Sequence, residues 1–368
     1  MTTNALFSPV RAGRLRLRNR VVMAPMTRLR AAEDGTPTPE MAEYYAQRAS
    51  AGLIVTEGIW PEPAGQSEWR VPGLSEGRHV DGWRAVTAAV HAAGGVVVAQ
   101  LMHGGRNGHP AARIDGSTPA GPSAVATTEP VHLADGTKAL PPVPRAMTRA
   151  DIDRAVGAYA TAAANALAAG FDGVEIHAAN SYLPHQFLAD NTNLRTDEYG
   201  GDVAGRIRFP LRVTEAVVDA AGADRTAVRL SPGNPQFGMR ERGPAPVYRA
   251  LLAELDPLGL AYLHLTDDDV YPALADLRPR WSGTLVANVG ENRAPTTAEA
   301  AARALADGLA DAVSFGRGFL VNPDLPYRLR HGLPWNPLDE AHLYTPGPVG
   351  YTDYPCALTS GDGAMKQG

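Results

Sequence analysis

Three polar residues that could act together on a carbonyl group stand close together in the sequence: His177, Asn180 and Tyr182. They follow the apolar run 173–177, which is typical of a buried strand, and strand alternation puts Glu175 on the same side as His177. Histidine and asparagine can donate hydrogen bonds to an oxygen on which negative charge develops. A phenol can supply a proton as a general acid. The alternative is a histidine and an asparagine that only hold a loop in place.

A second set of candidate residues follows two later apolar runs and consists of three glycines and an arginine: Gly290, Gly316, Arg317 and Gly318. Barrel proteins commonly bind a phosphate with the loops after strands seven and eight, assisted by the N-terminus of a short helix. Glycines let the backbone approach a ligand closely, and the arginine adds a charge-assisted contact. The pattern predicts a phosphate site, with a turn carrying a surface arginine as the alternative.

Three further residues suit the edge of a flat heteroaromatic ring: Thr27, Gln100 and Arg229. Glutamine offers both a donor and an acceptor, as a pyrimidine-like edge requires. An inward-facing arginine can stabilise an anionic ring edge when electrons arrive. Each residue alone could equally be solvated or paired internally, but together they indicate a planar cofactor that carries a phosphate.

Eight short apolar runs alternate with alanine-rich amphipathic stretches along the whole chain, 1–368. Near-continuous apolar runs are typical of parallel strands that helices cover. Eight alternations favour a closed (β/α)₈ TIM barrel in a single α/β domain over an open sheet. The strands are predicted at 21–24, 53–58, 96–101, 173–177, 227–231, 262–266, 284–289 and 312–316.

Sequence signals mark the ends of two of the predicted helices. The segment 148–151, Thr-Arg-Ala-Asp, is a capping box that begins one helix, and Gly170 stands where that helix should end. The segment 296–299, Thr-Thr-Ala-Glu, predicts the start of another, which ends near Gly308.

Two segments do not fit the repeat. Residues 1–20, in which Leu15 and Leu17 alternate with arginine, predict a hairpin that closes the bottom of the barrel. Residues 104–147 are rich in glycine, proline, serine and threonine, and so long a connection in a compact domain is usually functional. We expect this insertion after the third strand to form a lid over the C-terminal mouth.

Composition excludes several classes of protein. The net charge is −5 and the short arginine-rich segment fits a surface hairpin better than a nucleic-acid-binding arm. Cys356 is the single cysteine, so we expect an inert thiol, no internal disulfide and no zinc site built on several thiolates. The sequence has neither a membrane-spanning run nor a secretory signal, which predicts a cytoplasmic protein.

The sequence resembles the old yellow enzyme family along nearly its whole length. No single matching motif is unique, but their order and spacing leave little room for chance. The matching stretches are LFSP (6–9), NRVVMAPMTR (19–28), YYAQRASAG (44–52), QLMHGGR (100–106), HQFL (185–188), RTDEYGG (195–201), FGR (315–317), NPD (322–324) and YTDYP (351–355).

This resemblance implies an FMN-dependent ene-reductase that takes hydride from NADPH or NADH in a ping-pong cycle and needs no metal. His177 and Asn180 would bind the carbonyl oxygen of an electrophilic alkene, Tyr182 would protonate the α-carbon, and Tyr351 would contact the substrate. The implied partners are these small molecules, without nucleic acid or membrane, and the protein would be a monomer or homodimer. The implied FMN contacts are Pro25, Met26, Thr27, Gly58, Gln100, Arg229, Gly290, Gly316 and Arg317.

Four features depart from the family pattern. Gly58 replaces an expected alanine, and Met102 replaces an aromatic residue found in several members. The pair 68–69, Glu-Trp, occupies a stretch that often supplies a tyrosine, and the run 267–269, Asp-Asp-Asp, is unusually acidic. All four concern the substrate side, so they leave the substrate range open and do not affect the cofactor site.

Other activities are less consistent with the residues. A metal-dependent barrel hydrolase would use His103, His177 and Glu175, but His103 and Gln100 fall on opposite sides of the third strand and no compact metal motif occurs. A flavin-free aldolase would need a lysine at a strand end, and none of the predicted strands has one. A catalytically silent barrel that only binds flavin stays open as an alternative.

Overall fold

The computed structural model describes residues 3–267, 271–290 and 294–357. Eight parallel strands close into a barrel in the order β3-β4-β5-β10-β11-β12-β13-β14, which confirms the predicted (β/α)₈ fold. The strands are β1 (Val10–Ala12), β2 (Leu15–Leu17), β3 (Val21–Met23), β4 (Leu53–Ile59), β5 (Val97–Leu101), β6 (Ala120–Gly121), β7 (Val131–His132), β8 (Lys138–Ala139), β9 (Arg145–Ala146), β10 (Gly173–Ala178), β11 (Thr226–Leu230), β12 (Tyr262–Thr266), β13 (Leu285–Asn288) and β14 (Ala312–Phe315).

Helices follow the barrel strands and cover their outer faces. The barrel strands are buried along almost their entire length, because side chains fill the interior and the helices exclude water outside. The helices are α1 (Pro39–Gln47), α2 (Gly77–Ala92), α3 (Arg149–Ala168), α4 (Leu183–Leu188), α5 (Val203–Ala221), α6 (Ala245–Leu255), α7 (Ala273–Leu277), α8 (Ala298–Ala306), α9 (Arg317–Val321) and α10 (Leu325–His331). Within the described ranges, no helix combines the length and apolar character needed to cross a membrane.

The N-terminal hairpin closes one end of the barrel, as the sequence predicts. β1 and β2 pair antiparallel, and their buried side chains pack against residues at the N-terminal ends of the barrel strands. The tight turn requires Gly13, whose φ is +57° and whose added Cβ would lie 2.4 Å from the carbonyl oxygen of Asp224. Because the hairpin covers this end, the opposite end of the barrel is the one left for a ligand.

The insertion 104–147 contains two small sheets. β6 and β9 pair in parallel near its two ends, and β7 and β8 form a short antiparallel hairpin between them. Arg106 fastens the start of the insertion, because its guanidinium donates to the carbonyl oxygens of Ala126 at 2.9 Å and Phe237 at 2.7 Å. The insertion is therefore tied both to itself and to the loop after β11.

The predicted start of α3 agrees with the structure, whereas the predicted start of α8 is wrong by one residue. The hydroxyl of Thr148 accepts from the Asp151 amide at 3.2 Å and the Asp151 carboxylate accepts from the Thr148 amide at 2.9 Å, so the capping box of α3 is confirmed. The N-cap residue of α8 is Thr297, so the prediction that the helix begins at Thr296 is wrong. Thr296 is buried, and its hydroxyl donates instead to the carbonyl oxygen of Ser314 at 3.1 Å.

Replacing the cap of α3 should destabilise the protein. We expect Thr148→Ala to lower the free energy of unfolding by about 1 kcal/mol, because one amide at the helix start loses its acceptor. Urea unfolding followed by circular dichroism measures the change. Thr161→Ala, on the exposed face of the same helix, is the control and should cause no loss; an equal loss in both variants would contradict the role of the cap.

Candidate active site

A cavity of about 430 Å³ opens at the C-terminal ends of the barrel strands. A second cavity of about 220 Å³ shares Asn180, Arg229 and Gln236 with it, so the two form one continuous cleft. The second cavity brings together the predicted phosphate residues Gly290, Gly316 and Arg317. The first is lined by eight of the predicted site residues: Pro25, Thr27, Gly58, Gln100, His177, Asn180, Tyr182 and Arg229.

His177 is a neutral hydrogen-bonding group at this cleft. Burial, reinforced by the nearby charge of Arg229, lowers its pKa well below the usual value. Its Nδ1 atom is buried and has no partner among the described residues. An unpaired buried polar atom on a cavity wall is available to a ligand, as a carbonyl clamp requires.

Asn180 is held from two sides by the loop that follows β11. Its backbone amide donates to the Ser231 hydroxyl at 2.8 Å, and its side-chain amide donates to Gln236 Oε1 at 3.0 Å. The amide nitrogen carries two hydrogens, so one N–H remains for a ligand. Gln236 lines both cavities and was missed from the sequence, because the segment around it has no periodic pattern.

Tyr182 contributes a phenol that stays protonated. Burial first, and then the nearby Glu68 and Tyr344, raise its pKa well above the usual value for a tyrosine. Its ring lies against that of His177, with the two centroids 4.6 Å apart. The proximity of a neutral imidazole and a protonated phenol places a hydrogen-bond donor and a proton source on the same wall of the cavity.

Gln100 is fixed by a buried carboxylate beneath the cavity. Its Nε2 donates to Glu175 Oε1 at 2.8 Å, while Glu175 Oε2 accepts from Tyr262 at 3.0 Å and lies 2.9 Å from His264 Nδ1. Burial acts to raise the Glu175 pKa, but His264 and Arg229 outweigh it, so this pKa is lowered. The carbonyl oxygen of the Gln100 amide is consequently free to accept from a ring N–H.

Arg229 and Arg317 both supply positive charge to the second cavity, and Arg229 also lines the first. Arg229 is buried, and its Nε has no partner among the described residues, which fits a ligand acceptor at that position. No ion pair or side-chain hydrogen bond joins Arg317 to another described residue. A Cβ added to Gly316 would meet only Met26 Sδ, at 3.6 Å, so this backbone is open to a ligand. The two guanidinium groups suit an anionic ring edge and a phosphate.

The turn at Gly290 requires glycine for a steric reason that does not involve a ligand. A Cβ at this position would lie 2.2 Å from the carbonyl oxygen of Ala294, so the turn itself excludes any side chain. Met26 lies next to Gly316 but does not line either cavity.

The structure does not bring Tyr351 into the cleft. Tyr351 is buried, its ring is stacked on that of Tyr44 with centroids 4.0 Å apart, and it lines neither cavity. Tyr344, in the same segment, lines the first cavity instead. Both are tyrosines in a segment without periodicity, so the sequence held no signal that distinguishes them.

Besides Glu68, which the sequence already indicated on the substrate side, the rim of the cleft contains charged residues that were not predicted. Glu68 forms an ion pair with His132 of β7, and the His132 ring lies 4.7 Å from that of Tyr344. Lys138 of β8 also lines the cavity, as do Glu129, Pro130 and Phe237. Trp69 does not line it.

His103, invoked for the rival metal-dependent hydrolase, lies apart from the clamp, whereas Glu175 and His177 belong to the site described above. His103 faces Glu62, with Nε2 3.3 Å from Oε1, and lines a separate cavity, so it does not join His177. Asp267 lines the second cavity, whereas Asp268 and Asp269 lie outside the described residues.

Fold and site together define a barrel oxidoreductase whose cleft accepts a planar, phosphate-bearing cofactor. A family model described as the NADH:flavin oxidoreductase / NADH oxidase family matches residues 5–336. The chain therefore belongs to this family.

Individual relatives agree along almost the full length. A probable flavin mononucleotide-dependent alkene reductase of Leishmania infantum is 41% identical over 362 residues, covering 96% of this chain and 97% of its own. The solved old yellow enzyme homologue of Zymomonas mobilis superposes with a TM-score of 0.91 at 42% identity, covering 95% of this chain and 99% of its own. Morphinone reductase in complex with tetrahydroNAD superposes with a TM-score of 0.91 at 43% identity, covering 97% of this chain and 99% of its own. The predicted class, an FMN-dependent NAD(P)H ene-reductase of the old yellow enzyme type, is confirmed, and the alternatives are not favoured.

Two of the departures from the family pattern form one packed unit. A Cβ at Gly58 would lie 2.2 Å from Met102 Sδ, so the thioether occupies the space that an alanine would need. Met102 is buried, lines the cavity, and belongs to a small apolar cluster against which Tyr182 packs. The glycine and the methionine are therefore matched in size and must be changed together.

This match predicts non-additive stability changes. We expect Gly58→Ala to lower the free energy of unfolding by roughly 1–3 kcal/mol, because the added methyl group overpacks the site. Combining it with Met102→Ala should cost less than the sum of the two single changes, as a double-mutant cycle measures. The control is Gly157→Ala on α3, where an added Cβ meets nothing within 4 Å; additive losses would show that the two residues are independent.

Proposed function

We propose that the protein reduces the activated C=C bond of α,β-unsaturated carbonyl or nitro compounds by using the residues gathered in this cleft. The observation that carries the proposal is the convergence of His177, Asn180 and Tyr182 on one cavity wall, next to Gln100 and Arg229. When bound, FMN would supply the hydride chemistry that connects NADPH or NADH with the β-carbon of the substrate. The remaining steps belong to the side chains of this chain.

The residues of the cleft fit FMN along its length. Gln100 and Arg229 would hold the pyrimidine edge, and Thr27 would lie beside the ring with Pro25 and Gly58. Arg317, with the open backbone at Gly316 and the turn at Gly290, would hold the phosphate. Support comes from the buried Nε of Arg229, which has no partner among the described residues, and from Arg317, which lines the second cavity beside Gly290 and Gly316.

His177 and Asn180 would clamp the substrate oxygen. Each offers an N–H, and together they stabilise the negative charge that develops on this oxygen as hydride reaches the β-carbon. Because the pKa of His177 is lowered, the imidazole remains a neutral donor at neutral pH and does not hand its proton to the enolate. The clamp therefore binds and orients, and leaves the proton transfer to another group.

Tyr182 would be that group. A phenol held protonated by its surroundings can transfer its proton to the strongly basic α-carbon of an enolate. The turn that carries Asn180 also carries Tyr182 two residues later, so clamp and acid are positioned by the same short segment. In this scheme the oxygen is fixed first and the proton is then delivered from the cavity wall.

We also propose that the insertion 104–147 acts as a lid, since Glu129, His132 and Lys138 line the outer part of the cavity. The coenzyme and the alkene would enter this site in turn. Regeneration of a nicotinamide reductant inside cells supports a cytoplasmic location, and the protein would act as a monomer or homodimer without nucleic acid.

The phosphate assignment predicts weaker FMN binding on loss of one arginine. We expect Arg317→Ala to weaken FMN binding by roughly 1.5–3 kcal/mol, the usual contribution of a hydrogen bond to a charged group. Fluorescence titration of the apoprotein with FMN measures the affinity. Arg16→Ala, in the hairpin at the opposite end of the barrel, is the control; equal affinity in both variants would mean that the phosphate lies elsewhere.

The proton-donor assignment predicts a contrast between two substrates. Tyr182→Phe keeps the ring and removes the hydroxyl, so stopped-flow reoxidation by cyclohexenone should slow roughly 10²–10⁴-fold. Reoxidation by a nitrostyrene should slow far less, because its nitronate product is stable without a proton. Reduction of the enzyme by the coenzyme should be nearly unchanged.

The control for this experiment is Tyr344→Phe, which removes a hydroxyl from the same cavity. It should show no contrast between the two oxidants. Equal slowing of both oxidants by Tyr182→Phe, or slowing of the coenzyme half-reaction instead, would contradict the assignment.

A further inference from the structure

The turn that carries the clamp and the acid has an unusual backbone. Asn180 has a φ of +51° and Ser181 a φ of +68°, both in the left-handed region. Asparagine tolerates this region, but for serine it is sterically unfavourable because of its Cβ. Such a conformation persists only where the surrounding structure over-determines it, so the partners of Ser181 are informative.

Ser181 is held by three side chains. Its carbonyl oxygen accepts from Asn107 Nδ2 at 2.8 Å and from Gln186 Nε2 at 2.7 Å. Its amide donates to His185 Nδ1 at 3.0 Å. Asn107 and Gln186 contribute neutral side-chain amides. The third partner is a histidine, and its Nδ1 must lack a proton in order to accept from the Ser181 amide.

His185 accepts at Nδ1, so its ring proton is on Nε2. This atom lies 3.4 Å from Glu241 Oε2, and the two side chains are 0% and 4% exposed. Burial acts to raise the pKa of the Glu241 carboxyl, but His185 and the hydrogen bonds from Gly233 and Tyr248 hold it below its ordinary value. A buried carboxylate facing Nε2–H favours the tautomer that leaves Nδ1 as an acceptor for Ser181.

Glu241 belongs to the loop that also holds the Asn180 side chain. Its Oε2 accepts from the Gly233 amide at 2.6 Å and its Oε1 from the Tyr248 hydroxyl at 2.8 Å, which fixes it in place. Gln236 of the same loop accepts from Asn180 Nδ2. The loop after β11 therefore holds two neighbouring residues of the turn. It contacts Asn180 directly and Ser181 through His185.

We propose that His185, oriented by Glu241, is a positioning residue that keeps Ser181 in the left-handed conformation and thereby sets Asn180 and Tyr182 against His177. His185 lines neither part of the cleft, so it acts through the backbone and not on the substrate. The inference rests on the proposed function, because it concerns how that site is assembled.

The test uses glycine, which adopts positive φ without steric cost. His185→Ala should weaken binding of 4-chlorophenol, whose anion mimics the substrate oxygen, by tenfold or more, as read from its charge-transfer absorption. Cyclohexenone reoxidation should slow at least tenfold, while coenzyme reduction changes little. Adding Ser181→Gly to His185→Ala should restore most of both losses.

The matched control is Ser181→Ala in the same His185→Ala background. It removes the hydroxyl, as glycine does, but keeps the Cβ, so it should give no rescue. A loss of packing caused by the missing imidazole would not distinguish glycine from alanine at position 181. Equal behaviour of the two double variants, or parent-like binding and turnover in His185→Ala, would overturn the inference.

Two further measurements keep the outcome interpretable. Glu241→Gln retains the shape of the carboxylate and should give a smaller loss in the same direction; it replaces His185→Ala if that variant does not fold. A parent-like Glu241→Gln would contradict the orienting role of Glu241, and a loss in Glu241→Gln that Ser181→Gly does not rescue would contradict the positioning role. If the parent protein itself neither binds the phenol nor reduces cyclohexenone, the proposed function fails, and not the positioning role alone.

Discussion

The site depends on one buried carboxylate. Glu175 lies inside the barrel, fully buried, where an unpaired charge would be strongly unfavourable. It persists because it contacts Gln100 of β5 and Tyr262 and His264 of β12, and His264 in turn contacts Ser314 of β14 at 2.9 Å. One charge thus links four strands and sets the orientation of the glutamine that we propose as a cofactor contact. Removing a single partner would leave the others unsatisfied, so the network behaves as a unit.

This charge also explains how tasks are divided in the cleft. Arg229 can remain a buried cation because Glu175 lies near it, and Arg229 in turn contributes to lowering the pKa of His177. The imidazole is then a neutral donor, whereas burial raises the pKa of Tyr182 and keeps its proton in place. In the proposed mechanism, stabilisation of the oxygen and delivery of the proton fall to different side chains because one electrostatic arrangement acts on them in different ways.

The sequence predicted what local periodicity determines. All eight barrel strands were found, with no end displaced by more than one residue, and the capping box at Thr148 was placed correctly. The cap of α8 was missed because Thr296 and Thr297 are adjacent and tertiary contacts decide between them. Tyr344 and Gln236 were missed for a related reason: they reach the cleft through the path of irregular segments, which leaves no repeating pattern in the sequence.

The path of the C-terminal segment follows from buried arginines near the start of the chain. Arg28 donates to the carbonyl oxygens of Leu343 at 3.1 Å and Gly350 at 2.6 Å, and Arg30 donates to Leu343 at 2.7 Å. Both guanidinium groups also lie over the Tyr351 ring. Tyr351 therefore anchors the segment, while Tyr344 is left at the rim. Gln100 and Arg229 lie on barrel strands, whereas Tyr344 reaches the cleft through an irregular segment that these arginine contacts fix.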